Sequence, residues 1–263
     1  MSKILISGYY GFANAGDEAM LTAIIESLRQ VEKNVELTVL SGNPEDTAAK
    51  HQVCSVYRFN PLGIIRAMKD SELIISGGGS LLQDVTSKRS LLYYLSIIGL
   101  GKFFGKKVML FAQGIGPIRT KWARKLTSLV CNEADLITVR DSESAAELIE
   151  MGVKPEKITV TADSVLSLNP VTKECGQYLL QEAGVDLTKP VIGISVRPWS
   201  GDSQCFQVLA EAASKLQQSY GAQLILLPLQ YSVDVKACEK LRKALVCQKD
   251  IFLSLIHISE PTR

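Results

Sequence analysis

Lys3-Ile4-Leu5-Ile6-Ser7-Gly8-Tyr9-Tyr10-Gly11-Phe12-Ala13-Asn14-Ala15-Gly16-Asp17-Glu18-Ala19-Met20-Leu21 passes from an apolar run, through a glycine-rich turn, into a helical pattern. Residues 3–7 read as a first strand. Residues 17–33 read as a helix, with Ala19, Leu21, Ile24, Ile25 and Leu28 at helical spacing and Glu18 early, where it suits the dipole. The glycines at 8, 11 and 16 let the backbone take positive φ or approach a ligand closely, and the helix behind them offers unpaired N–H groups to an anion. Chemistry is expected at this turn.

Working outward, apolar β-branched runs recur at 35–40, 72–76, 107–112, 136–139 and 158–161, with helical patterns at 62–70, 121–133, 142–151 and 173–183. The alternation predicts an α/β fold with a parallel sheet wrapped by helices. The pattern pauses at 167–170 and 186–190, which sets a first Rossmann-like domain at 1–168. A strand at 191–196, a helix at 203–220, a strand at 223–227 and a helix at 233–246 follow. They form one β-α-β-α unit, about half of a Rossmann-like domain, so 169–252 is expected to be a partial second domain. Residues 253–263 resemble the translation of a sequencing adapter and are expected to be non-native; the alternative is an ordinary strand at 251–256, on composition alone.

With 263 residues, 46% of them hydrophobic, the chain can build substantial cores. A net charge of +2 leaves no basic excess for nucleic acid, which is not expected as a partner. Six cysteines (54, 131, 175, 205, 238, 247) without a Cys-x-x-Cys pair read as reduced core thiols of a cytoplasmic protein. The apolar stretch 90–101 is too short for a bilayer, which needs about 20 residues. It reads as a buried helix, or as one whose flanking Lys88, Arg89, Lys102, Lys106 and Lys107 rest against the inner face of the cell membrane as a peripheral contact.

Two more glycine turns end predicted strands: Ser76-Gly77-Gly78-Gly79-Ser80-Leu81-Leu82-Gln83-Asp84 and Ala112-Gln113-Gly114-Ile115-Gly116-Pro117. Ligands of open α/β sheets bind at that edge. Each could be only a tight turn; together, with Asn14, Asp17, Gln83, Asp84 and Gln113 interspersed, they suggest one crevice. Arg140, before a helix N-cap at Asp141 or Ser142, is either a surface cation or a clamp for phosphate or carboxylate. Asp163, at the mouth of an expected interdomain cleft, either caps a hinge or meets ligand; Arg197 and Gln230 hold equivalent strand ends in the second domain. His51 reads as solvated, and no Cys, His and carboxylate spacing suggests a metal site. The first turn lacks the G-x-G-x-x-G spacing, and no acidic residue ends the second strand, which disfavours a nicotinamide enzyme.

In order, GYYGFANAGDEAML (8–21), SGGGSLLQD (76–84), AQGIGP (112–117), VRDSES (139–144), TADSV (161–165) and ISVRPW (194–199) resemble the polysaccharide pyruvyl transferase family, CsaB-type members above all, over residues 1–252. The resemblance implies a glycosyltransferase-B-like pair of Rossmann-like domains. It implies transfer of enolpyruvyl from phosphoenolpyruvate, the donor substrate, to a lipid-linked cell-wall precursor sugar, N-acetylmannosamine, as a 4,6-ketal. The product anchors proteins bearing S-layer homology domains. No cofactor is implied. Asn14, Asp17 and Glu18 become the candidate catalytic groups. Gly11, Gly16, Gly77, Gly78, Gly79, Gln83, Asp84, Gln113, Gly114, Arg140, Asp163, Arg197 and Gln230 become candidate substrate-binding residues. The family's Arg-x-His motif and later lysine have no counterpart here, so the chain as given is expected not to turn over. A nucleotide-sugar glycosyltransferase, or a non-catalytic glycan- or phosphate-binding fragment, is the rival reading.

Overall fold

In β1 (Lys3–Tyr10), side chains alternate between two cores, as a strand covered on both faces requires. Ile4 and Ile6 pack with Leu21, Ile24 and Ile25 of α1 (Ala15–Val31), while Leu5 joins the larger cluster on Ile74, Leu91, Tyr94 and Leu110. The chain is described from a computed structural model over residues 1–197 and 203–253. Backbone contacts divide it into two units, Met1–Phe12 with Gly16–Leu168, and Ala13–Ala15 with Asn169–Arg263.

The first unit continues with β2 (Glu36–Ser41), α2 (Pro44–His51), β3 (Cys54–Tyr57), α3 (Pro61–Asp70) and β4 (Leu73–Gly77). There follow α4 (Lys88–Phe103), β5 (Lys107–Gln113), α5 (Lys121–Glu133), β6 (Leu136–Val139), α6 (Ser142–Glu150) and β7 (Ile158–Val160). The strands form one sheet in the order β3-β2-β1-β4-β5-β6-β7, and every pair is parallel. The order reverses between β1 and β4, the switch point at which doubly wound sheets open a crevice beyond their carboxyl ends. The turns at 8–16 and 77–79 lead from those two strands.

Two elements exceed the sequence expectation. Strand β3 is a half-exposed edge, and α2 is a short polar helix. Both α2 and α3 start at an Asn-Pro pair: Asn43 Oδ1 accepts from Asp46 N–H (3.4 Å) and Asn60 Oδ1 from Gly63 N–H (3.0 Å). An asparagine cap followed by proline in the first turn is a strong helix start.

The second unit carries α7 (Lys173–Glu182), β8 (Val191–Ile194), α8 (Ser203–Tyr220), β9 (Gln223–Leu226), α9 (Tyr231–Ala244) and β10 (Ile251–Leu253). Its three strands are parallel in the order β10-β9-β8. The third strand adds to the two expected, with Ile251, Phe252 and Leu253 in register with Leu224, Ile225 and Leu226. Residues 254–263, most of the stretch expected to be non-native, lie outside the described residues, as do His257 and Trp199 of the 194–199 motif.

Helix α4 is a core helix. Leu91, Tyr94, Leu95, Ile97, Ile98 and Gly101 are buried, and no described helix is long and apolar enough to cross a membrane. Lys102, in its last turn, and Lys107, at the start of β5, both bond Asp135 (2.7 and 3.1 Å). All six cysteines are free, but only Cys131 and Cys238 are core thiols; Cys54, Cys175 and Cys205 are exposed, which corrects that expectation. Burial pushes Cys131 up to about 12.

Candidate active site at the carboxyl edge of the first sheet

Three glycines end β4 because α1 lies directly on them. A Cβ at Gly77 would meet Ile24 Cδ1 at 2.8 Å, one at Gly78 would meet Met20 Cβ at 3.1 Å, and one at Gly79 would meet Asp17 Oδ1 at 3.3 Å. Asp17, Met20 and Ile24 follow the i, i+3, i+7 spacing of one helix face, so the glycine run is the seat of that face. Gly78 and Gly79 also take positive φ (52° and 74°). The packing sets the Asp17 carboxylate over bare backbone at the sheet's edge. Tyr10 donates its hydroxyl to the Gly77 carbonyl (3.2 Å), and burial, then the Asp17 charge, push its pKa well above the ordinary value.

The neighbouring turn repeats the device. Gly114 N–H donates to the Gly79 carbonyl (3.1 Å), and a Cβ at Gly114 would lie 2.7 Å from Arg140 Cζ, so the guanidinium rests on this glycine. Arg140 bonds Ser80 Oγ (3.2 Å) and Asp163 Oδ2 (3.3 Å) and lies 3.4 Å from Asp141 Oδ2. One part-exposed cation thus gathers the turns after β4, β5, β6 and β7. Asp141 is the N-cap of α6, accepting from Ser144 N–H (2.7 Å); bonds from Ser144 hold its carboxyl below the usual range. Ser144 Oγ in turn accepts from Ile115 N–H (3.0 Å).

Beneath these groups, Gln113 is fully buried and donates from Nε2 to Ser76 Oγ (3.2 Å), while its Oε1 has no partner. Ser7, opposite Ser76 in register, also has an unpartnered hydroxyl. Other expected ligand groups serve the loops. Gln83 closes a turn through both ends of its amide to Thr86 (2.7 and 2.9 Å). Asp84 accepts from Arg119 N–H, Thr120 N–H and Thr120 Oγ1 (2.8–3.0 Å). Burial raises its pKa, but these bonds outweigh that and hold the carboxyl below its ordinary value.

Gly11 takes φ 75°, and a Cβ there would fall 2.1 Å from Ser41 Oγ, so only glycine fits. Its N–H donates to Glu18 Oε1 (2.8 Å), and Glu18 Oε2 lies 3.4 Å from His51 Nε2. His51, read as solvated from its polar surroundings, has a side chain only 7% exposed. No signal in the sequence marked it, because its partner Glu18 lies 33 residues away. Glu18 therefore spans turn and imidazole. Asp17 and Gly16 also have partners in the fold.

In the second unit, Asn14 forms an antiparallel bridge with Gln230, and Ala15 N–H donates to the Leu229 carbonyl (2.8 Å). Arg197 Nη2 donates to Gln230 Oε1 (2.5 Å), and Gln230 N–H to Asp234 Oδ2 (2.7 Å). Asn14, Arg197 and Gln230 are thus brought together there. Among the described residues no group of three or more His, Cys, Asp or Glu is placed to hold a metal ion.

The fold is shared with sugar-nucleotide enzymes. Anabaena Alr3699/HepE, solved with UDP-glucose, superposes with a TM-score of 0.62 at 14% identity, over 97% of this chain and 69% of that one. UDP-GlcNAc 2-epimerase from Neisseria meningitidis, bound to UDP-GlcNAc, gives 0.63 at 12% identity, over 99% and 74%. A glycosyltransferase from Rickettsia africae gives 0.58 at 14%, over 96% and 68%. At such identities the likeness defines the class, an α/β protein of glycosyltransferase-B-like fold. No curated protein sequence matches the chain. The family is set by sequence: the profile described as polysaccharide pyruvyl transferase matches residues 14–260, and the chain belongs to that family. The match runs into the stretch expected to be non-native.

Proposed function

We propose that the chain serves transfer of the enolpyruvyl unit of phosphoenolpyruvate to a cell-wall glycan precursor, as a 4,6-pyruvate ketal on N-acetylmannosamine that supports anchoring of S-layer homology domains. The family match supports pyruvyl transfer, and Asp17 and Arg140, seated on neighbouring glycine turns, are the groups we assign to it. The reaction protonates the methylene carbon of the donor; one sugar hydroxyl attacks the oxocarbenium-like carbon and loses its proton; phosphate leaves, and the second hydroxyl closes the ring. It needs a cation for phosphate or carboxylate, and groups that move protons.

Arg140 suits the first need. Its guanidinium has several donors, and an incoming anion would exchange with Asp163 and Ser80. Asp17, set over the bare backbone of Gly79, suits the second by its position. No cofactor is needed. For a lipid-linked acceptor at the inner face of the membrane, exposed Lys88 and Arg89 at the start of α4 are the cationic contacts, since Lys102 and Lys107 bond Asp135.

The sequence holds no Arg-x-His motif, so the 263-residue chain is expected to release no phosphate by itself. The test uses the full-length gene product. The product, given phosphoenolpyruvate and a lipid-linked N-acetylmannosamine acceptor, is expected to release phosphate in step with acceptor consumed. Consumption of a UDP-sugar with phosphoenolpyruvate untouched would replace the reading with glycosyl transfer.

A further inference from the structure

Arg58, directly after β3, is 4% exposed, and no ion pair is formed with it among the described residues. Five aromatic rings surround the guanidinium: Tyr93 at 4.4 Å, Phe12 and Phe59 at 5.3 Å, Tyr94 at 5.4 Å and Tyr9 at 6.0 Å. Nη1 donates to the Gly8 carbonyl (3.2 Å) and Nη2 to Tyr94 Oη (3.3 Å), while Nε has no partner. A buried cation without an anion is costly, several kcal/mol after relaxation. Here only ring faces and neutral oxygens offset it.

The partners come from two places. Gly8 and Tyr9 lie near the end of β1 and Phe12 in the glycine turn that follows, with Tyr9 and Phe12 stacked at 4.3 Å and 13°. Tyr93 and Tyr94 belong to α4, and Phe59 follows β3. The turn that Gly11 opens, at φ 75°, has little stiffness of its own. We propose that Arg58 is a positioning residue that pins residues 8–12 to α4 and so fixes the approach to Asp17 from below. Its value for catalysis rests on the pyruvyl-transfer reading; the pinning does not.

The 263-residue chain tests it without substrate, by hydrogen exchange. In Arg58→Ala, the Gly11 amide, bonded to Glu18, is expected to exchange about tenfold faster, the loss of one desolvated cation–π contact. Amides of β5 and β6 should be unchanged. Guanidinium at a few millimolar, far below denaturing levels, should re-enter the ring-lined space and restore protection; sodium chloride at equal strength should not. Should Arg58→Ala not fold, Arg58→Lys keeps charge but not the planar fork, and acceleration confined to the turn is again expected. Unchanged exchange at Gly11, acceleration spread evenly over the first unit, or equal rescue by sodium chloride would each overturn the proposal. None of these outcomes depends on whether phosphoenolpyruvate is the donor.

Discussion

Gly114 decides where Arg140 lies. With a Cβ due 2.7 Å from Cζ, Gly114→Ala must displace the guanidinium while leaving its charge in place. If Arg140 holds an anion of the donor, Gly114→Ala should weaken phosphoenolpyruvate binding by tenfold or more, on the order of one charge-assisted hydrogen bond, nearly as much as Arg140→Ala. Titration calorimetry checks this, and equal affinity of Gly114→Ala and wild type would separate Arg140 from the donor. Asp135 is a stability residue instead. Burial pushes its carboxyl up, but Lys102, Val108 N–H and Lys107 together hold it down at about 2. Its unfolded value is roughly 3.9. The folded value is depressed, so the stabilisation is complete above that pH and is lost as pH falls toward 2. Asp135→Asn should cost up to about 1 kcal/mol at neutral pH and flatten the fall of the urea midpoint below pH 4, read by denaturation at several pH values. Residue roles were partly legible. Asp141 as a cap followed from strand, polar residue and helix in sequence. His51 and Arg58 were not legible, because what defines them is burial among groups far along the chain: Glu18 for one, Gly8 and Tyr94 for the other.

At the scale of elements, the pairing of α1 with the end of β4 explains the triple glycine better than ligand approach alone. Gly77→Ala would drive a methyl group into Ile24 Cδ1 and Tyr10 Oη, at 2.8 and 3.0 Å, and should destabilise the first unit by about 1–3 kcal/mol. Ile24→Val removes that Cδ1 and by itself costs roughly 0.5–1.5 kcal/mol. The double variant should be more stable than the two separate losses predict, which thermal unfolding of all four proteins measures. Strictly additive losses would mean that the two side chains do not meet. Strands β1 and β4 were readable because they are buried on both faces and so nearly continuous in apolar residues. Strand β3 was not, since an edge strand carries Ser55 and the exposed Cys54 and Tyr57 in place of that run. Helix α2 is polar and eight residues long, so only its Asn43-Pro44 start marked it.

For the whole molecule, fold and family answer different questions. The solved neighbours share the architecture at 12–14% identity, and the UDP-sugars bound to two of them describe those two proteins. The family match over 14–260 is what sets this chain among the polysaccharide pyruvyl transferases. The parallel sheet reverses its order between β1 and β4, the place at which open α/β sheets generally bind ligands. The identity of the donor therefore decides between pyruvyl and glycosyl transfer. Phosphoenolpyruvate labelled at its central carbon, incubated with the lipid-linked N-acetylmannosamine acceptor and the full-length gene product, should yield an acceptor whose labelled carbon resonates as a ketal bonded to two sugar oxygens. Label remaining in phosphoenolpyruvate while a UDP-sugar is consumed would contradict it.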